Sequence, residues 1–215
     1  MGKDIRIVPA ILTNDPAELK KMVRQAESFT DFVQMDIMDG EFVPSTSVSC
    51  EDIAGIKPKL KWEAHLMVLH LENCLENFKE AGAQKIVFHY EATKSPEETI
   101  KTIRKLGMQV GLAINPETPN QAIADLIKQV DSVLFLSVNP GFYGAKFIPA
   151  VLDKIKDLRK KYPELEIGID GGIKESNIAE IAQTGVDFIF VGSAIFLRPD
   201  PSASYKHLKE LAASA

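Results

Sequence analysis

Four side chains in this 215-residue chain have the types and spacing for proton transfer or metal chemistry. They are Gln34 and Asp36 in Phe32-Val-Gln-Met-Asp-Ile37, His65 in Trp62-Glu-Ala-His-Leu-Met67, and Asp170 closing Leu165-Glu-Ile-Gly-Ile-Asp170. Residues two apart on a strand share a face, so Gln34 and Asp36 look the same way. Two carboxylates and an imidazole form a mixed oxygen and nitrogen donor set for a divalent cation, and that chemistry does not choose among Zn, Fe, Mn and Co. A cation so held polarises a carbonyl and stabilises an enediolate. Carboxylates on opposite sides of the adjacent carbon can then remove a proton from one face and return one to the other, inverting the centre. The competing readings are a cap or solvated loop anion for each carboxylate and a satisfied core residue for His65.

A second group suits an anion. Asn139-Pro-Gly-Phe-Tyr-Gly144, Asp170-Gly-Gly172 and Gly192-Ser193 break apolar runs with glycine. Gly141, Gly144, Gly171, Gly172 and Gly192 leave room for backbone donors, and Ser193 adds a hydroxyl. None is a lysine-containing phosphate loop, but three such breaks after consecutive late strands fit a phosphate site better than any one alone. Ordinary tight turns are the alternative. Lys146 is a candidate counter-charge, and Phe142 and Tyr143 are candidates for a lid that excludes water.

Those positions require a scaffold that brings strand ends together. Branched apolar runs recur at Ile5–Leu12, Phe32–Ile37, Trp62–Met67, Lys85–Tyr90, Gln109–Ile114, Ser132–Val138, Leu165–Asp170 and Asp187–Val191, and helical periodicity follows them. Helices are expected from Asp15-Pro16, near Cys50–Ile53, over Leu71–Phe78, up to Gly107, from near Pro119, over Phe147–Leu158, around Ile178–Ala182 and over Tyr205–Leu211. Eight such units predict a (β/α)8 TIM barrel rather than an open doubly wound sheet, with chemistry at the carboxyl ends of the strands. No linker divides the chain, so residues 1–215 read as a single catalytic barrel domain. A net charge of -5 without a dense basic face argues against nucleic acid, and the absence of an 18-residue apolar stretch argues against a membrane span. Cys50 and Cys74 offer no disulfide framework, and a cytoplasmic protein is the expectation.

Taken together, Pro9-Ala-Ile-Leu-Thr-Asn-Asp15, Met35-Asp-Ile-Met-Asp-Gly-Glu-Phe-Val-Pro44, Ala64-His-Leu-Met67, Leu136-Ser-Val-Asn-Pro-Gly-Phe142, Ile169-Asp-Gly-Gly172 and Val191-Gly-Ser-Ala-Ile-Phe196 make the chain resemble the ribulose-phosphate 3-epimerase family from Val8 through Phe196. The resemblance implies a barrel of the ribulose-phosphate-binding type. It also implies a phosphosugar 3-epimerase of carbohydrate metabolism, in the pentose phosphate pathway. Such an enzyme interconverts ribulose 5-phosphate and xylulose 5-phosphate through a metal-stabilised enediolate, with Asp36 and Asp170 as acid/base pair. Asp36, His65 and Asp170 match the family's metal shell, and the late glycines with Ser193 match its phosphate-contacting region; His65 also stands against the substrate. Where the family has its remaining histidine ligand this chain has Gln34, so the expectation is a divergent member with a weakened, altered or absent metal and Gln34 as a substitute ligand. Ala10, Thr13, Leu136, Tyr143 and Ala145 replace the family's usual Ser, Ser, Met, Gly and Gln. A metal-free or altered-specificity isomerase or epimerase and a non-catalytic phosphate-ligand binding barrel are the alternatives. Self-association into a homo-oligomer is compatible with the family.

Overall fold

Eight short strands close on themselves, each pairing in parallel with the next and the last with the first: β1 (Arg6–Ile11), β2 (Phe32–Met38), β3 (Lys61–Met67), β4 (Lys85–His89), β5 (Gln109–Ile114), β6 (Ser132–Leu136), β7 (Glu166–Asp170) and β8 (Phe188–Val191). This computed structural model describes residues 5–141 and 145–215, so Phe142, Tyr143 and Gly144 lie outside the described residues.

Strand alternation sorts the apolar side chains into two sets. Val8, Ala10, Val87, Ala113, Leu134, Leu136 and Phe190 pack together inside the barrel. Their neighbours, among them Ile7, Val33, Leu66, Phe88, Phe135 and Ile189, join Leu19, Ile53, Phe78, Ile103, Ile155 and Leu208 in the layer beneath the helices. Strands buried on both faces in this way read as near-continuous hydrophobic runs, which is why they were legible without structure. The surrounding α-helices are α1 (Pro16–Ala26), α2 (Cys50–Ile56), α3 (Leu75–Glu80), α4 (Pro96–Lys105), α5 (Val151–Lys161), α6 (Ile178–Ala182), α7 (Ser193–Phe196) and α8 (Pro201–Ala213). Asp15 caps α1 by accepting from the Ala17 amide at 2.8 Å. Ser49 and Asp52 form a reciprocal capping box on α2.

The chain departs from its sequence pattern in four places, the first being the helix expected over Leu71–Phe78, which is a 3₁₀ turn over Leu71–Asn73 followed by α3 from Leu75. The helix expected from Pro119 is two short 3₁₀ segments, Asn120–Ile123 and Ile127–Gln129. Pro119 has no side-chain acceptor for a cap, and Asn120 donates instead to the Lys154 carbonyl at 2.8 Å. Lys154 in turn donates to the carbonyls of Asn115 and Pro116, so α5 satisfies backbone groups of the preceding loop. Phe147 lies ahead of α5 rather than on it, because the Ile148 amide is drawn to the Ser137 carbonyl at 2.7 Å and Pro149 follows. Finally, Ser193–Phe196 turns into a short helix directly after β8.

Candidate active site and metal centre

Register decides what the strand ends can do. Asp36 pairs with His65 across β2 and β3, and Leu136 pairs with Asp170 across β6 and β7. Ser137 fixes the last of these: its amide and hydroxyl both reach the Asp170 carbonyl, at 2.7 and 2.9 Å, and the hydroxyl also reaches the Gly171 carbonyl. Asp36, His65 and Asp170 therefore face one cavity at the carboxyl mouth of the barrel, although the two aspartates are far apart in the chain.

His65 Nδ1 lies 2.9 Å from Asp36 Oδ1 and 3.8 Å from Asp170 Oδ2. Gln34, fully buried, donates its Nε2 to Asp36 Oδ1 at 2.9 Å and to Asp170 Oδ2 at 2.6 Å. One carboxamide thus braces both carboxylates. Burial, and after it the Asp36 charge, push Asp170 up to about 7 against the opposing pull of His65 and Gln34. Burial disfavours a charged His65, yet the bond to Asp36 and the further carboxylates of Asp170 and Glu63 outweigh it and raise the imidazole above its ordinary value.

One donor atom from each of Asp36, His65 and Asp170 lies within 4.8 Å of the others. Two carboxylates held this close repel each other, which is one source of the raised Asp170 value, and a divalent cation between them relieves that repulsion. The donor set fits a divalent metal cofactor.

The Asp170 shift has a consequence for stability. Its folded value lies above its ordinary 3.8, so the folded chain holds this proton more tightly than the unfolded one. The contribution is complete below the unfolded value and is lost as pH rises through about 7. Metal-free wild type is expected to lose thermal stability between about pH 4 and about pH 7 relative to Asp170→Asn. Parallel melting-temperature profiles for the two metal-free proteins would contradict this assignment.

Of the anion candidates, Gly141, Gly171, Gly172, Gly192 and Ser193 line the same cavity as the carboxylates. Geometry also demands two of these glycines. Gly171 has φ +108° and an added Cβ would come within 2.5 Å of Val138 Cγ2; Gly141 has φ +106° and would meet Val43 Cβ at 2.9 Å. Ala10, Leu136 and Ala145 also border the cavity, whereas Lys146 is exposed and does not line it. His89, a polar strand end in the sequence to which no site role was assigned, and Glu91, which sequence reasoning passed over, extend the site. His89 Nε2 meets His65 Nε2 at 2.9 Å, and His89 Nδ1 faces Glu91 Oε2 at 3.4 Å. His89 closes β4, but Glu91 lies past it on the 3₁₀ turn Tyr90–Ala92, so the strand alternation that pairs Gln34 with Asp36 does not reach it.

Fold and site together define a (β/α)8-barrel enzyme with an Asp, His, Asp metal-binding centre in its mouth. The chain belongs to the ribulose-phosphate 3 epimerase family, whose sequence model matches residues 6–196. It is 38% identical to ribulose-phosphate 3-epimerase 1 of Cupriavidus necator, covering 95% of this chain and 89% of the relative. It is 35% identical to the ribulose-phosphate 3-epimerase of Schizosaccharomyces pombe, covering 91% and 89% respectively. Among solved structures, 3-hexulose-6-phosphate synthase from Salmonella typhimurium superposes with a TM-score of 0.74 at 17% identity, covering 98% of this chain and 99% of that one, which shows the shared barrel.

These findings correct the expectation of a divergent member set apart by Gln34. The family match spans nearly all of the chain, and Asp36, His65 and Asp170 stand as an intact ligand triad. Gln34 is no gap in that triad: its amide nitrogen points at the two carboxylates as a hydrogen-bond donor. Among the described residues, no helix is long and apolar enough to cross a membrane.

Proposed function

We propose that residues 1–215 act as one catalytic barrel domain that interconverts ribulose 5-phosphate and xylulose 5-phosphate by inverting carbon 3. The observation that carries this reading is the convergence of Asp36 and Asp170 beside His65 in a single cavity. One carboxylate takes the proton from carbon 3 and the other returns a proton to the opposite face; running the reaction backwards exchanges their roles. Gln34 holds both carboxylates in place through its shared amide. A divalent cation held by Asp36, His65 and Asp170 supplies polarisation of the neighbouring carbonyl oxygen. The phosphate is received at the rim by the Gly171–Gly172 turn, Gly192 and Ser193, with Gly141 opposite. A cytoplasmic enzyme is part of the proposal, since the two cysteines are unpaired thiols. Self-association is carried by the family alone, and light scattering measures it.

The test is an assay of ribulose 5-phosphate in deuterated water, before and after chelation and again with Mn, Co, Zn or Fe restored. Expected are xylulose 5-phosphate with deuterium at carbon 3, loss of conversion on complete metal removal, and its return with metal. Undiminished conversion by metal-free protein would overturn the cation-dependent part. Phosphosugar binding with neither exchange nor conversion would overturn the epimerase reading.

A further inference from the structure

A buried imidazole pair lies behind the metal triad, and the chemistry described so far uses only one of its members. His65 and His89 are 1% and 0% exposed. Their ring centroids are 5.1 Å apart with planes 24° from parallel, and their Nε2 atoms are 2.9 Å from each other, so the two rings meet edge to edge, nitrogen to nitrogen. Only a single hydrogen fits between two such nitrogens, so one Nε2 donates and the other accepts.

The groups on either side decide which. A nitrogen that ligates a cation carries no hydrogen, and Nδ1 is the His65 nitrogen turned toward Asp36 and Asp170. A neutral His65 serving as ligand must then carry its hydrogen on Nε2, where His89 Nε2 is the acceptor in reach. His89 in turn must carry its own hydrogen on Nδ1. That atom faces Glu91 Oε2 at 3.4 Å, with the Asn115 side chain as a second acceptor beside it. Glu91 is itself held through Oε1, which accepts from the Asn115 amide at 2.9 Å and from the Thr118 hydroxyl. A single placement of hydrogens satisfies the row from Glu91 through His89 to His65.

We propose that His89, backed by Glu91, is a positioning residue: by accepting the Nε2 hydrogen of His65 it leaves the His65 Nδ1 lone pair aimed at the carboxylates where a divalent cation is held. The inference rests on the metal reading above. It adds that the selection of the His65 tautomer is made from β4, outside the ligand triad. Partners of this kind behind a metal-binding histidine typically contribute 10- to 100-fold in metal affinity, and that range sets the expected effect.

His89→Phe keeps an aromatic ring beside His65 but removes the acceptor. His89→Gln loses the ring but offers an oxygen in reach of His65. Cobalt affinity, read from its visible absorption under chelator competition, is expected to fall about 10- to 100-fold in His89→Phe and to be largely restored in His89→Gln. A packing role alone predicts the reverse order, and that result would overturn the proposal. So would cobalt affinity equal to wild type in His89→Phe. Wild type that takes up no cobalt would overturn the metal reading and this inference together, whereas uptake by wild type with no effect of the variants overturns this inference alone. If the variants do not fold, ring-nitrogen NMR of the zinc-loaded wild type decides. The expected tautomers are Nε2–H at His65 and Nδ1–H at His89, and Nε2–H at His89 would overturn the assignment.

Discussion

Asp36→Asn and Asp170→Asn are each expected to lower kcat by about 10²- to 10⁴-fold, the usual contribution of a positioned acid or base. The size of the loss alone does not separate proton transfer from metal binding, because both residues belong to the ligand triad. Isotope exchange separates them. Each epimer presents its carbon 3 hydrogen to only one of the two carboxylates, so a variant lacking one carboxylate still removes the proton from the epimer that faces the other. Asp36→Asn should therefore retain solvent exchange with one sugar phosphate, and Asp170→Asn with its epimer, while neither completes the inversion at a normal rate. The measurement is deuterium incorporation into each substrate recovered from metal-loaded variant protein. Loss of exchange from both epimers in both variants, with metal content equal to wild type, would leave the carboxylates as ligands and remove them as the acid/base pair.

The mirrored expectation depends on geometry that was only partly legible in the sequence. The strands could be read because each is a short apolar run buried on both faces, and alternation placed Gln34 with Asp36 on one side of β2. Residue type and position at strand ends then singled out Asp36, His65 and Asp170. The role of Gln34 could not be read in the same way, since its bond to Asp170 spans 136 positions and depends on barrel closure. In the sequence Gln34 reads as a missing ligand, whereas in the fold its amide braces both carboxylates. The His65 and His89 pair was hidden for a related reason: a histidine on an apolar strand is most often a core residue, and only the barrel's curvature brings the two rings together. Between β5 and β6 the periodicity was present but misleading. Tertiary bonds from Asn120 and Lys154 to their neighbours took the place of helical ones. The glycines could be counted but not apportioned, since Gly141 and Gly171 are required by backbone geometry whether or not an anion binds.

Below the site, a buried ion pair gives the largest expected effect on stability. Lys85 Nζ and Glu63 Oε2 are 3.2 Å apart, with side chains 9% and 2% exposed. Glu63 stands in register with Gln34 on one side and Lys85 on the other, one inward position beneath His65. Its other oxygen, Oε1, has no hydrogen-bond partner among the described residues, so Lys85 supplies most of its compensation. Lys85→Met preserves much of the stem's volume but leaves that carboxylate buried without its cation. The expected cost is about 3–5 kcal/mol, or a fall in melting temperature on the order of 10 °C for a chain of this size. The Glu63 charge also acts upward, raising both His65 and Asp170. Glu63→Leu combined with Lys85→Met is expected to recover most of the lost stability, because removing both charges leaves no unpaired ion in the barrel. Scanning calorimetry of the three variants checks the argument. A double variant as unstable as Lys85→Met alone would mean that the lysine stem's packing, rather than its charge, holds this layer together.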